Sequence, residues 1–460
     1  MSSHTRPQPG IRLHVDLDGD LRPHRNVKIE AHLQVDVAAD GAPTDLPAVE
    51  LAVIIAVDVA ESNRAAVHAL AAALRALPDG ISFTLLGGGP EPRRCYPLGD
   101  DEWAVANQYE RRRAAFVAGS LPLHQDGPRP AGYASWASAS RALLAGRPLS
   151  VQHLVLITDG SSAAGETRLE EELDACAGQF TCEVFAVGTD WSPDPLLTLA
   201  ERLHGTAEFV DDGLAQAITG AIQRLRRVHT PQLPIEVTVR PSVRQVSLSE
   251  KAPRAHRLGG LPQPGRPHRW SFPTYQWEQG RRDYLLTLVT DADADPLETE
   301  LQFAMVSIGE VHAPVLARWH LPDRSPQHAP AGGDSVRNLD VTARMRSALR
   351  QGLVALEARQ RDTAEARLGQ AARLAAELGK DWVLDEIRTV ADIEDAAAGR
   401  IRLRTVDADT LAPMILRAGS RPGGTLTEAV GARPGPRCHA CSTPAGSEAR
   451  YCITCGKKLL

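Results

Sequence analysis

The stretch Leu51–Ser62, LAVIIAVDVAES, constrains the chain more than any other. Seven consecutive apolar residues end at Asp58, and a helical pattern begins almost at once. An unbroken apolar run of this length reads as a strand buried on both faces, the situation of a central strand in a parallel sheet. A carboxylate at the carboxyl end of such a strand faces the crevice in which open α/β sheets place their ligands. A second run, Leu154–Ser161 (LVLITDGS), has the same form and ends in Asp159-Gly160.

Around these two strands, residues 49–229 alternate strand and helix patterns, as expected of a mainly parallel sheet covered by helices. Strands are predicted at 50–58, 81–87, 93–97, 152–158, 181–187 and 206–210. Helices are predicted near 63–77, 101–118, 135–146, 166–178, 194–204 and 212–229. Before this block, Val27, Ile29, Ala31, Leu33, Val35 and Val37 alternate with Lys28, Glu30, His32, Gln34 and Asp36, the period of a half-buried strand. With residues from 11 onward it reads as a hairpin turned at Leu17-Asp18-Gly19-Asp20. Two strands alone are marginal, so this amino-terminal segment, 11–48, needs a partner sheet. Residues 230–325 offer one: short alternating strands at 235–240, 243–249, 268–272, 283–290 and 301–308, separated by Pro and Gly, describe an antiparallel sandwich. The α/β block would then be an insertion between strands of that sandwich.

Residues 335–405 read as a helical hairpin or small bundle. Asp340 is placed to cap a first helix, Asp362-Thr363 a second, and Gly379 to end it. Residues 413–437 are rich in Pro and Gly and read as a flexible linker. The chain closes, over 438–460, on Cys438-x-x-Cys441 and Cys452-x-x-Cys455, with ten residues between the pairs. Four thiolates so spaced can surround one zinc ion at about 2.3 Å. So short a segment has almost no core, and Zn²⁺ binding would supply about 10 kcal/mol of its folding free energy. Four sulfur ligands leave no open position, so the zinc is expected to be structural.

The ends of the two buried strands resemble the von Willebrand factor A (VWA) domain, a Rossmann-like α/β fold. In that family the first strand ends in Asp-x-Ser-x-Ser, and later loops add a threonine and an aspartate to make a metal-ion-dependent adhesion site. Here Asp58, Ser62 and Asp159 match, whereas Ala60 and Ala134 stand at a serine and the threonine. The resemblance therefore implies either a divalent cation, Mg²⁺, held by Asp58, Ser62 and Asp159, or a crevice whose carboxylates are held by backbone N–H groups or water. Ser135 or Glu61 would be the substitutes for the missing hydroxyls. The resemblance continues through CAGQFTCEVFAVGTDW and LEARQRDTAEARLGQAARLAAELG to a group of actinobacterial VWA proteins with a terminal zinc ribbon. Part of the second stretch also looks like one helix of a tetratricopeptide unit. Members of the group are thought to act in protein assemblies, some linked to signalling.

Composition excludes several other classes. A net charge of −6 gives no general attraction to nucleic acid or an anionic membrane, and Arg450, Lys457 and Lys458 are few for a nucleic-acid-binding ribbon. No apolar run is long enough to span a bilayer, and no cleavable leader opens the sequence. Seven cysteines, four of them in the terminal pattern, suit a reducing compartment, and a cytoplasmic location is expected. Cys176 and Cys182 read either as a disulfide or redox pair or as ordinary buried thiols. Ser161 is not in a G-x-S-x-G elbow, and Gly87-Gly88-Gly89-Pro90 is a turn and not a phosphate loop. The expectation is a non-enzymatic scaffold or adaptor that binds protein partners; a metal-dependent binding module and a hydrolase are the alternatives.

Overall fold

A computed structural model describes residues 10–17, 20–23, 25–38, 50–88, 91–121, 123, 132–147, 151–160, 168–189, 191–253, 256–292, 295–320 and 333–420. The terminal cysteines, and residues 421–437 of the expected linker, lie outside them.

The amino-terminal segment supplies β1 (Gly10–Leu17), β2 (Asp20–Leu21) and β3 (Val27–Ala38). The α/β block then runs β4 (Leu51–Asp58), α1 (Arg64–Arg75), β5 (Ser82–Gly87), β6 (Arg93–Tyr96), β7 (Ala104–Val105), α2 (Gln108–Ala118), α3 (Tyr133–Leu144), β8 (Val151–Thr158), α4 (Leu169–Cys176), β9 (Thr181–Ala186), α5 (Pro193–Arg202), β10 (Thr206–Phe209) and α6 (Leu214–Leu225). Its sheet has the order β10-β9-β8-β4-β5-β6, with β7 also paired to β5. The strands from β10 to β5 are parallel, and β6 and β7 join antiparallel at the edge.

Burial on both faces explains the apolar run. Val53, Ile55 and Val57 share a core with residues of α1, α2 and α6, whereas Ala52, Ile54 and Ala56 share another with α3, α4 and α5. The expected helix at 101–118 begins only at Gln108, where the Asn107 side chain accepts from the Tyr109 and Glu110 N–H groups. Residues ahead of it are taken by β7 and by the backbone pairing of Ala106 with Gly80 and Ile81.

The sandwich follows as β11 (Val228–Gln232), β12 (Ile235–Val239), β13 (Val243–Ala252), β14 (His256–Leu258), β15 (Leu261–Gln263), β16 (Arg266–Phe272), β17 (Tyr275–Glu278), β18 (Gly280–Thr290), β19 (Glu300–Ile308) and β20 (Val311–Trp319). One sheet has the order β1-β3-β18-β13-β14 and the other β15-β16-β12-β19-β20-β2, while β11 and β17 pair antiparallel with each other as a separate two-stranded sheet. Strand β3 lies antiparallel to β18 over its length, from Val27↔Thr290 to Val37↔Gly280, so the amino-terminal strands meet their partners some 250 residues away in sequence. The α/β block sits between β3 and β12 in the chain.

Two expectations about this segment are corrected. After β1 the chain crosses to the second sheet, where β2 pairs in parallel with β20, so the segment is not a simple hairpin; Asp18 and Gly19 lie outside the described residues. His32, expected to be wet, is 4 % exposed, because its Nε2 meets Asp283 Oδ1 at 2.8 Å across the sheet.

Four helices and a hairpin complete the described chain: α7 (Gly333–Glu357), α8 (Arg361–Leu378), α9 (Asp381–Val390), β21 (Ala391–Asp395), β22 (Arg400–Leu403) and α10 (Ala408–Ser420). Gly379 ends α8 with φ +62°, as expected of a left-handed cap. Asp340, expected to be a cap, lies inside α7 and pairs with Arg344 one turn on; α8 has no side-chain cap at its start. The stretch 335–405 is not wholly helical, since β21 and β22 pair within it.

The linker expected from residue 413 is also corrected. Residues 413–420 belong to α10, which buries Leu411, Met414, Ile415 and Leu416 against α7, α5 and β10. The Pro and Gly count concealed this apolar stripe. The helices join the core on the α5 face of the parallel sheet, while α7 also touches β1 and β3.

Candidate functional site

The crevice is built where β4 and β8, paired in register up to Asp58↔Thr158, both run out. Side by side, they bring together the two carboxylates singled out in the sequence: the Asp159 N–H donates to the Asp58 carbonyl at 3.2 Å. Both are buried, Asp58 fully and Asp159 at 3 % exposure, whereas Ser62 is exposed on the short 3₁₀ turn Glu61–Asn63.

Each buried carboxylate meets donors from the chain itself. Asp159 Oδ2 accepts from the Ala60 N–H at 2.6 Å and from the Asn63 side-chain amide at 2.9 Å. Asp58 Oδ2 accepts from the Thr158 hydroxyl at 2.9 Å. The Thr158 oxygen in turn accepts from the Gly160 N–H at 3.1 Å, with the Tyr133 hydroxyl 3.3 Å away. A hydroxyl has one proton to give and two lone pairs. With that proton on Asp58, Tyr133 must donate to Thr158, which orders the chain Tyr133–Thr158–Asp58.

Close packing fixes the floor of this site. Gly160 has φ +83°, and a Cβ there would lie 2.2 Å from Trp191 Cα. The Trp191 indole N–H donates to the Gly188 carbonyl at 2.9 Å, fastening one wall.

Among the described residues, the side chains of the expected motif supply fewer oxygens than a near-octahedral Mg²⁺ shell takes. Ala60 and Ala134 bring no side-chain oxygen, and Ala134 lies in the first turn of α3. Glu61, a candidate substitute, turns outward to Arg64, with Oε1 2.6 Å from Nε and Oε2 2.6 Å from Nη2. Ser62 is the sole hydroxyl remaining from the expected motif. Among the described residues, no group of three or more His, Cys, Asp and Glu side chains is arranged to hold a metal.

Residues 51–209 match the family model of the von Willebrand factor type A domain. This part of the chain is a VWA domain. The likeness in fold reaches well beyond it. A von Willebrand factor type A protein from Catenulispora acidiphila superposes with a TM-score of 0.77 at 20 % identity, covering 92 % of this chain and 99 % of the other. The ArnB paralog VWA2 from Sulfolobus acidocaldarius gives 0.55 at 9 % identity, covering 89 % and 98 %. At such identities the likeness concerns fold alone, but its coverage takes in the sandwich and the helices as well as the VWA domain. No curated protein matches the chain.

Three residues of the crevice escaped the sequence reading: Thr158, Tyr133 and Asn63. Each stands next to a position already singled out, Asp159, Ala134 and Ser62. Adjacency was the available signal, but a search for metal-binding oxygens passes over groups that bond to the carboxylates instead. Cys176 and Cys182, outside the crevice, are free buried thiols, not a disulfide. Burial, with Glu172 nearby, pushes the Cys176 thiol up to about 11, and burial drives Cys182 well above its ordinary value. Neither is a reactive thiolate at neutral pH. Cys438, Cys441, Cys452 and Cys455 lie outside the described residues.

Proposed function

We propose that this chain is a non-enzymatic, cytoplasmic scaffold or adaptor that binds protein partners through its VWA crevice and a terminal zinc ribbon, within an assembly that serves signalling. VWA domains are commonly protein-interaction modules, and the present one lies in one compact unit with the sandwich and the helices.

The observation that carries the reading is the pairing of Asp58 and Asp159 with Thr158, Ala60 and Asn63. Carboxylates held in this way need no cation, so the crevice would act as a preformed polar surface and not through a metal bridge. In the ribbon, Cys438, Cys441, Cys452 and Cys455 would hold a structural Zn²⁺ and present a small second surface. Among the described residues no helix is long and apolar enough to cross a membrane.

The test is affinity capture from native cells with the full chain, a ribbon-truncated chain and Asp159→Ala. A specific partner retained without added Mg²⁺, and weakened in both variants, is the expected result. Tight Mg²⁺ binding by calorimetry, abolished in Asp58→Ala, would replace this reading with a cation-dependent module. Turnover of a phosphoester or peptide panel, lost in Asp159→Ala, would replace it with a hydrolase.

A further inference from the structure

Helix α2 has two unlike faces. Its inner face is made of Ala114, Ala115 and Ala118, all buried, and small side chains let the helix lie close to α1. Its polar groups nearest the fold are tied down. The Tyr96 hydroxyl bonds to Glu110, while Arg111 reaches the Leu77 carbonyl and pairs with Asp79.

The outer face is different. Phe116 is 78 % exposed and Tyr109 62 %, and both Arg112 and Arg113 are exposed. Arg113 is held over the Tyr109 ring, 5.2 Å from its centroid, and donates to the Tyr109 hydroxyl at 3.1 Å. Arg112 has no ion-pair partner among the described residues. Positions 109, 112, 113 and 116 fall on one side of a helix. The result is a stripe with an aromatic ring at each end and two guanidinium groups between, about 10 Å long at 1.5 Å per residue.

We propose that this outer face of α2 is a docking surface for an acidic amphipathic protein segment, one that sets carboxylates between two apolar side chains about a two-turn helical spacing apart. The stripe has no carboxylate turned outward, since Glu110 faces Tyr96, and it lies on a chain whose net charge is negative. Local positive charge on an acidic protein selects an acidic partner by complementarity and disfavours a basic one. Tyr, Phe and Arg are side chains that anchor interfaces, and the Arg113–Tyr109 contact holds two of them in place before binding, which lowers the entropic cost. The surface is separate from the crevice, so it stands or falls independently of that site.

The test uses the full chain and three labelled 14-residue peptides read by fluorescence anisotropy. One alternates Glu pairs with Leu and Phe at helical spacing, one replaces every Glu by Lys, and one replaces Leu and Phe by Ser. Only the first is expected to bind, more weakly as salt rises, and Phe116→Ala and the Arg112→Glu/Arg113→Glu pair should each weaken it at least tenfold. Unchanged melting temperatures in those variants would show that the fold is intact. No binding of the first peptide, equal binding of the Lys peptide, or indifference to the variants overturns the proposal. So does sedimentation showing that the chain self-associates through Phe116, which would make a second copy the occupant.

Discussion

The crevice of the VWA domain and the outer face of α2 use their polar groups in opposite ways. In the crevice, Asp58 and Asp159 are buried and meet Thr158, Ala60 and Asn63 from neighbouring segments. On α2, Phe116 and Arg112 face solvent and contribute little to holding the fold. A buried carboxylate must find donors, because leaving one unmet costs more than an average hydrogen bond returns. An exposed ring or guanidinium faces no such demand, and its contacts with a partner remain open to it. Burial, more than residue type, separates a group that stabilises from a group free to recognise.

Substitutions should separate the two regions sharply. The largest effect is expected at Gly160→Val, where the left-handed backbone and the Trp191 backbone both oppose a side chain. It should destabilise by about 3 kcal/mol or more in urea unfolding. Next comes Asp159→Ala, which strips the Ala60 N–H and the Asn63 amide of their acceptor and should cost about 2 kcal/mol. Asp159→Asn, which keeps one acceptor oxygen, should cost about half as much. If Asp159→Ala instead stabilised the protein, the carboxylates would be held against their own repulsion, and the cation reading would regain ground.

An intermediate case is His320, which ties β2 to β20. Its Nε2 meets Asp20 Oδ1 at 2.6 Å and its Nδ1 meets Glu298 at 3.3 Å. The hydrogen bond to Asp20 leads the causes that raise the imidazole above its ordinary 6.5. A raised histidine stabilises the fold fully below the unfolded value, and the contribution disappears as pH climbs through the higher folded value. Melting temperature should therefore fall on going from pH 6 to pH 8 more in the native chain than in His320→Gln. The smallest effect is expected on α2: Phe116→Ala and Arg112→Ala should shift stability by no more than about 0.5 kcal/mol. A larger loss at Phe116 would mean that the ring packs against the fold and would erase the contrast.

The comparison also marks how far the residues could be read in order. The run Leu51–Asp58 announced a doubly buried strand because every position in it is apolar, and both sheet faces use it. Alternation in Val27–Val37 showed a one-sided strand, but nothing local said that its partner would be β18 or that His32 would find Asp283. In residues 413–420 the Pro and Gly content points to a linker, whereas the helical spacing of Leu411, Met414, Ile415 and Leu416 is what the fold uses. In the crevice, Asp58, Ser62 and Asp159 were legible as a set, whereas Thr158, Tyr133 and Asn63 gained meaning only as neighbours in space.

What this sequence determined by itself was periodicity and its breaks. The parallel sheet, its order of strand and helix, and the two carboxylates at its carboxyl edge all follow from local patterns of apolar and polar residues. The tertiary structure decided which donors reach those carboxylates, which strand β3 joins, and which face of α2 is left uncovered. These are contacts between segments up to hundreds of residues apart, selected by how the packed elements meet, and no local period encodes them.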